Sequence, residues 1–382
     1  MQKKVVGRRE FVKATTLASS AVILSACTPA AVLPVATMPV ATDLATPSFK
    51  GVTIDIISLD GEDGQIELEA WRTERGITLA KSPFSSWDET FAKLKTDNFD
   101  IALVANPYVS LWGKAGVLLP LDLRRLTNWN DMFPGLRDAE FLRDENGNLY
   151  AVPIAWGDGP FVYDPSRVSK PPTSITELLD STWKGRLTNM DDNILIFHFL
   201  AVAKGYPSPK LTKSQLSEVK KQAKILIGNY RAFSSGYQDA TDLLVRGEVD
   251  LAISGWEAML TWAAEKGTTL KFGFFEESHG GGWCDSLAIP ANAVDVDAAY
   301  AYIDAMISPE VNARVATNLI SGTVNSKAVD KVGSKALIYD YSIVKGGTGA
   351  LKFEIINPPL EASGDFANKA DWDKAWAEIR GG

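Results

Sequence analysis

The chain has 382 residues and a formal charge of −8 at neutral pH, from 39 Lys and Arg against 47 Asp and Glu. That balance argues against nucleic acid as a partner, because neutralising phosphates needs a basic face. With two histidines in the whole chain, a multi-histidine metal site is excluded.

Residues 1–26 read as an export address. Lys3, Lys4, Arg8 and Arg9 form a basic start, and "GRREFVK" carries the adjacent arginines of a twin-arginine signal. The apolar "ATTLASSAVILSA" that follows is too short to span a bilayer. It runs into "LSAC", which resembles the bacterial lipobox, so Cys27 is the expected site of lipidation and the new N-terminus. The plain alternatives are an ordinary cleavage site or an uncleaved anchor. Residues 27–49 are rich in Ala, Pro, Thr and Val and lack any helical or strand period, so a flexible stalk is expected there. Loss of residues 1–26 removes five basic residues and one acidic one and leaves a charge of −12. Cys284 is then without a second thiol, so no intrachain disulfide is expected. Roughly 330 ordered residues exceed one typical core and point to two domains.

From Gly51 the pattern alternates. "VTIDIIS" predicts a strand, "QIELEAWRTERG" a helix stopped by Gly76, and "ITLAKS" a second strand. "SSWDETFAKLKTDN" predicts a helix with a Ser N-cap and an acidic first turn. "FDIALVA" is a near-continuous apolar run, as in a parallel strand covered on both faces. This βαβαβ order predicts an α/β fold. "GVLLPLD" and the extended "NGNLYAVPIAWGDGPFVYD" follow. A second alternation starts near Trp183: "GRLTNM", "DDNILIFHFLAVAKGY", "KSQLSEVKKQAKILIGNY", then helix, turn and strand in "ATDLLVRGEVDLAIS". "TLKFGFF" and "CDSLAIP" predict strands and "DVDAAYAYIDAMIS" a helix. "SPEVNARVATNLI" opens with Ser308 as N-cap and Pro309 at the first helical position.

"WKGRL", a "DD" before a helix ending "KGY", "RGEVDLAIS", "GGGWCDSLAIPANAVDVDAAYAYIDAMISPEVNARVA" and "TVNSKA" occur in that order. Together they resemble the polyamine-binding branch of the extracellular solute-binding proteins that serve ABC importers. The resemblance covers residues 51–382 and is densest from Trp283 to Asn325. It implies a two-lobed α/β periplasmic-binding-protein fold, type II-like, with a hinge and a central ligand cleft. The lobes are expected at 50–156 plus 284–325 and at 157–283 plus 326–382. Crossings are expected near Ile154–Gly157, Trp283–Asp285 and Gly322–Asn325. The implied protein is a monomeric receptor, not an enzyme. Its partners are a small cationic solute and the permease and ATPase subunits of an importer, and no cofactor is inferred.

A primary ammonium buried in such a cleft needs a carboxylate to offset its lost hydration. Asp285 is the first candidate. Trp283 projects on the same side of an extended chain and offers a π-face. In the resembled family the matching Trp and Asp contact the ligand, and Asp192 matches an aspartate of the second lobe. Asp192 also precedes an apolar run, where a helix cap is the ordinary role. Trp256 and Glu257 follow a strand end, where α/β ligand sites form. Trp156, Asp60 and Glu62 complete the candidates. The departures concern aromatic walls and one carboxylate: the first-strand loop here is "LDGEDG", Tyr108 is displaced, Leu195 stands where the family has a second carboxylate, Ser321 stands for a tyrosine, and the family's tryptophan near Trp256 aligns with Gly255.

Two other functions fit parts of the pattern. A lipid-anchored enzyme would need a base beside a nucleophile, and the nearest arrangement is Cys284 with His279; His198 lies in an apolar run that suggests packing. The same fold could instead take an amino-acid-like solute, thiamine or a metal; for iron the nearest tyrosine pair is in "LIYDY".

Overall fold

Buried strands alternating with amphipathic helices build two separate sheets within the unit Pro47–Gly382. The computed structural model describes residues 49–59, 61–84, 86–278, 282–346, 353, 356–359 and 361–381. The expected signal peptide, Cys27, Asp60, His279 and the glycines Gly280 and Gly281 lie outside the described residues.

The first lobe starts with β1 (Thr53–Ile57), α1 (Glu69–Arg75), β2 (Thr78–Ser82), α2 (Trp87–Thr96), β3 (Ile101–Ala105) and α3 (Val109–Lys114). The expected caps are present: Ser86 Oγ accepts from Glu89 N at 3.2 Å, and Gly76 closes α1 at φ 72°. β1 lies parallel to β2 and β3. In β3, Ile101 to Val104 are fully buried, in keeping with the unbroken apolar run, and each such large side chain contributes about 1.5–3 kcal/mol by leaving water. The one-turn α4 (Pro134–Arg137) then leads to β4 (Val152–Asp158).

The second lobe comprises β5 (Phe161–Tyr163), β6 (Leu187–Asn189), α5 (Asn193–Ala203), α6 (Lys213–Gly228), β7 (Tyr230–Phe233), α7 (Tyr237–Val245), β8 (Leu251–Ala252), α8 (Ala258–Glu265) and β9 (Lys271–Gly273). Its sheet runs β7-β6-β8-β5-β9, parallel among the first three strands and antiparallel beyond. The chain then returns to the first lobe with β10 (Gly282–Ala288), α9 (Val296–Met306) and α10 (Pro309–Leu319). β10 inserts antiparallel between β3 and β4, which completes the order β2-β1-β3-β10-β4. The last helix, α11 (Lys369–Arg380), packs Trp372, Trp376 and Ile379 into the core of the second lobe with Phe197 of α5. The fold is therefore α/β with two lobes, as expected.

The crossings differ in detail from expectation. The first falls between β4 and β5, after Asp158, and the second falls between β9 and β10, before Trp283. Gly322–Asn325 is not a crossing. Gly322 bridges Trp156, and Asn325 bridges Met132, both within the first lobe. Ala328, Val332 and Ala336 pack on Ala313 and Ala316 of α10, and Tyr339 and Val344 join the first lobe's core. The span 326–344 thus packs with the first lobe instead of the second, and the third crossing lies between Val344 and Ala367.

Trp156 explains why. It is fully buried; its indole N–H donates to Thr323 O at 2.9 Å, and its ring meets Tyr339 and Tyr341 edge-on at 5.4 and 5.8 Å. It holds the return segment against β4, so it serves packing and has no face on the cleft. A side chain at Gly322 would place its Cβ 2.2 Å from the Trp156 ring. Gly322→Ala is expected to destabilise by about 1–3 kcal/mol, as overpacked cores do. The readout is a lowered urea midpoint. Gly228→Ala, where nothing lies within 4 Å, is the control and is expected not to lower it.

Candidate functional site

Parallel strands of both sheets, β3 in one and β6 and β8 in the other, end at one gap. β3 delivers Asn106 and Pro107; β6 delivers Met190 and Asp192; β8 delivers Ser254 and Gly255; α7 opens with Tyr237. All of these line one cavity of about 200 Å³, together with Gly282 and Trp283 of β10. Loops at strand C-termini collect ligand sites in α/β folds because the adjoining helices turn their N-termini there.

Trp283 reaches this cavity because its partner across the ladder is Gly157. A Cβ on that residue would meet the indole Nε1 at 2.5 Å. Trp256 backs Trp283 edge-to-face, centroids 6.1 Å apart, and touches Tyr237 and Trp262 at 5.8 and 5.2 Å. Trp256 is thus the second layer of an aromatic wall, and Trp283 and Tyr237 form its surface. Asn106 fixes the mouth of β10: its backbone N–H donates to Cys284 O at 2.9 Å, and its Oδ1 accepts from Cys284 N at 3.1 Å. Cys284 itself is fully buried, and burial pushes its thiol pKa up, which leaves it without nucleophilic character.

Asp285 lies in β10 opposite Ala105 and Ala155, half-buried, and its carboxyl interacts electrostatically with that of Glu62. Burial raises Asp285 to about 7. Glu62 is raised well above the usual carboxylate range, by burial first and then by the Asp285 charge. The pair therefore shares a proton near neutral pH. From the other lobe, Asp192 lines the cavity as the N-cap of α5; its Oδ1 accepts from Ile194 N at 2.9 Å and Leu195 N at 3.1 Å. Burial raises Asp192 too, against the pull of those amides. Tyr237 reports the combined field: it is pushed up to about 12 by burial, then by Asp192, with Asp285 and Glu257 adding to it. No Lys or Arg contributes to the shift of Asp285, Glu62 or Asp192 among the described residues.

Glu257 departs from expectation. It is 1 % exposed and faces the first crossing, where Oε1 accepts from Asp158 N at 3.1 Å and the Tyr339 hydroxyl lies 3.3 Å from Oε2. Burial and the Asp158 charge raise it to about 8, and burial raises Asp158 to about 6. It belongs to the hinge and does not line the cavity. The structure thus gathers Trp283, Asp285, Glu62 and Asp192 in one region, with Trp256 behind them, and separates Trp156 and Glu257 from them. Tyr237, Asn106, Met190 and Ser254 were absent from the expected set, although the strand-end rule that selected Trp256 applies equally to Asn106 and Ser254. No group of three or more metal-ligating side chains occurs among the described residues.

Residues 69–338 match the family model described as bacterial extracellular solute-binding protein. The spermidine/putrescine-binding periplasmic protein of Escherichia coli strain K12 is 29% identical over 289 residues, which cover 73% of this chain and 81% of the relative. Among solved structures, the TpPotD lipoprotein of Treponema pallidum superposes with a TM-score of 0.71 at 15% identity, over 86% of this chain and 99% of that one. A putative spermidine/putrescine ABC transporter protein from Listeria monocytogenes superposes with a TM-score of 0.70 at 19% identity, over 86% and 98%.

Proposed function

Because the chain belongs to the bacterial extracellular solute-binding proteins, a family of receptors and not of enzymes, we propose that it captures a small amine cation between its lobes and delivers it to the permease of an ABC importer. The observation that carries this reading is Asp192 on the wall of a cavity faced by Trp283 and Tyr237, with Asp285, whose carboxyl interacts with that of Glu62, two residues along β10 from Trp283. Half-buried carboxyls with no basic partner among the described residues resist ionisation, and a bound ammonium offsets that by supplying the missing charge. The indole face of Trp283 adds a cation–π contribution of about 0.5–2 kcal/mol in a desolvated site. The relatives named above for spermidine and putrescine favour the same solute class.

The export reading belongs to the same proposal. A twin-arginine signal and lipidation of Cys27 would tether the receptor by a flexible stalk at the outer face of the cytoplasmic membrane, within reach of its permease. No helix of the described residues is long and apolar enough to cross a membrane.

Calorimetric titration of the full-length chain, unfolded and refolded to strip carried solute, tests the receptor reading. Putrescine, spermidine, agmatine, a basic amino acid and thiamine are the probes. Micromolar or tighter binding of an amine is expected. Absence of heat and of any change in tryptophan fluorescence with all five would overturn the cation reading.

A further inference from the structure

At the end of β3 the cavity wall is an amide. Asn106 is 4 % exposed and lines the cavity beside Trp283. The backbone N–H of Cys284 can only donate, so the amide atom that meets it at 3.1 Å is the oxygen, Oδ1. A second bond, from Asn106 N to Cys284 O at 2.9 Å, holds the residue in that register. The amide is therefore not free to flip, and the end left over is Nδ2. Nδ2 makes no hydrogen bond among the described residues, yet it is not sealed away, so it opens on the space that Asn106 lines.

Nδ2 is a donor, and so is an ammonium. A solute built only of methylenes and ammonium groups leaves Nδ2 without an acceptor once water is displaced, a loss of about tenfold to a hundredfold in affinity. A solute oxygen at the same place accepts from Nδ2 and avoids that loss. Its charge state follows from the surroundings. Besides burial, the charges of Asp192, Asp285 and Glu257 raise Tyr237 on the same wall, and a carboxylate on the solute would enter that negative field. A hydroxyl or an amide carbonyl would not be repelled by it.

We propose that the solute is an amine that also carries a neutral oxygen acceptor, with its ammonium at Asp192 and its oxygen on Asn106 Nδ2. This rests on the cation-receptor reading and narrows it, with Asn106 as the residue that tells such amines from plain diamines.

The test compares 4-amino-1-butanol with putrescine and 5-amino-1-pentanol with cadaverine by titration calorimetry of the refolded full-length chain. Each alcohol differs from its diamine only in a terminal hydroxyl for an ammonium. Each alcohol is expected to bind at least tenfold more tightly than its diamine. Asn106→Asp keeps an oxygen for Cys284 N and turns the leftover donor into an acceptor, so it is expected to reverse that order. A diamine that binds the unmodified chain within tenfold of its alcohol, or more tightly, overturns this inference and leaves the cation reading standing. Tighter binding of 4-aminobutanoate than of 4-amino-1-butanol overturns the neutral oxygen. Failure of every amine to bind overturns both readings. The ranking on the unmodified chain decides the matter even if Asn106→Asp folds poorly.

Discussion

Asp285→Asn is expected to weaken binding of the amine about 100-fold and, at the same time, to raise the melting temperature of the solute-free chain at pH 8. Both effects follow from one geometry. Asp285 stands half-buried against a second carboxyl, Glu62, and no basic residue among the described ones contributes to the shift of either. Without solute the pair either keeps a proton or suffers repulsion, so removing one member relieves the folded state. With an ammonium bound, the same member is the counter-charge, and losing a buried charge-assisted bond costs about 2–5 kcal/mol. Glu62 complicates the single substitution in a predictable way. Freed of its neighbour's charge, it ionises more readily and retains part of the attraction. The double variant Glu62→Gln with Asp285→Asn is therefore expected to bind more weakly still. Calorimetry and thermal melts on the three chains check this. Affinity within threefold of the original in both variants would remove this pair from the binding account, and a lower melting temperature for Asp285→Asn would show that the pair is not a source of strain.

The solute-free chain is expected to lose stability as pH rises from 5 to 8. The raised carboxyls set the sign, and four of them form the two pairs described above. Asp158 is raised to about 6, Asp285 to about 7 and Glu257 to about 8, and Glu62 is raised with Asp285. In the unfolded chain these groups release their protons near pH 4. Between that point and the raised values the folded chain holds more protons, so each unit of pH costs stability, up to about 1.4 kcal/mol per group. The groups share protons in pairs, so the full sum is not reached. For a chain of this size the fall in melting temperature is on the order of 5 °C across that range. Glu257→Gln is expected to flatten the curve between pH 6 and 8, because an amide still accepts from Asp158 N and does not ionise. A saturating amine is expected to flatten the Asp285 and Glu62 share, and its binding heat at pH 6.5 is expected to vary with the ionisation heat of the buffer. A melting temperature that climbs from pH 5 to 8 would contradict the burial of these carboxyls.

The alternation of β1 to β3 with α1 and α2 was legible because period and caps agree there: Ser86 and Gly76 sit where the apolar runs begin and end. The pairing of Glu62 with Asp285 was not, since 223 residues separate the two and only the insertion of β10 beside β3 brings them together. Trp156 shows the opposite difficulty. A tryptophan between strand residues and a Gly-rich turn suits a cleft or a core equally, and the choice depends on Gly322, 166 residues on, leaving room for its ring. The lobe assignment of 326–344 failed for a further reason. The segment folds into short 3₁₀ turns at Val329–Lys331, Ser334–Ala336 and Tyr341–Val344, which carry no periodic stripe to show which core they cover. α11 does carry one, in Trp372, Ala375, Trp376 and Ile379, but it lies beyond the last strand, outside the alternation that organised the rest.

The ladder between β4 and β10 extends to Gly282 opposite Asp158, the last residue before the chain leaves for the second lobe. Two of the three connections are therefore clamped side by side as a ribbon up to the point of departure. Two contacts join the lobes beside this point of departure: the Trp283 ring, one residue along β10 from Gly282, against Trp256, and the hydrogen bond from Asp158 N to Glu257 Oε1. Any change in the angle between the lobes at these two connections would act on an indole of the cavity wall and on a buried carboxyl at once, so cavity shape and carboxyl environment are tied to the same few residues.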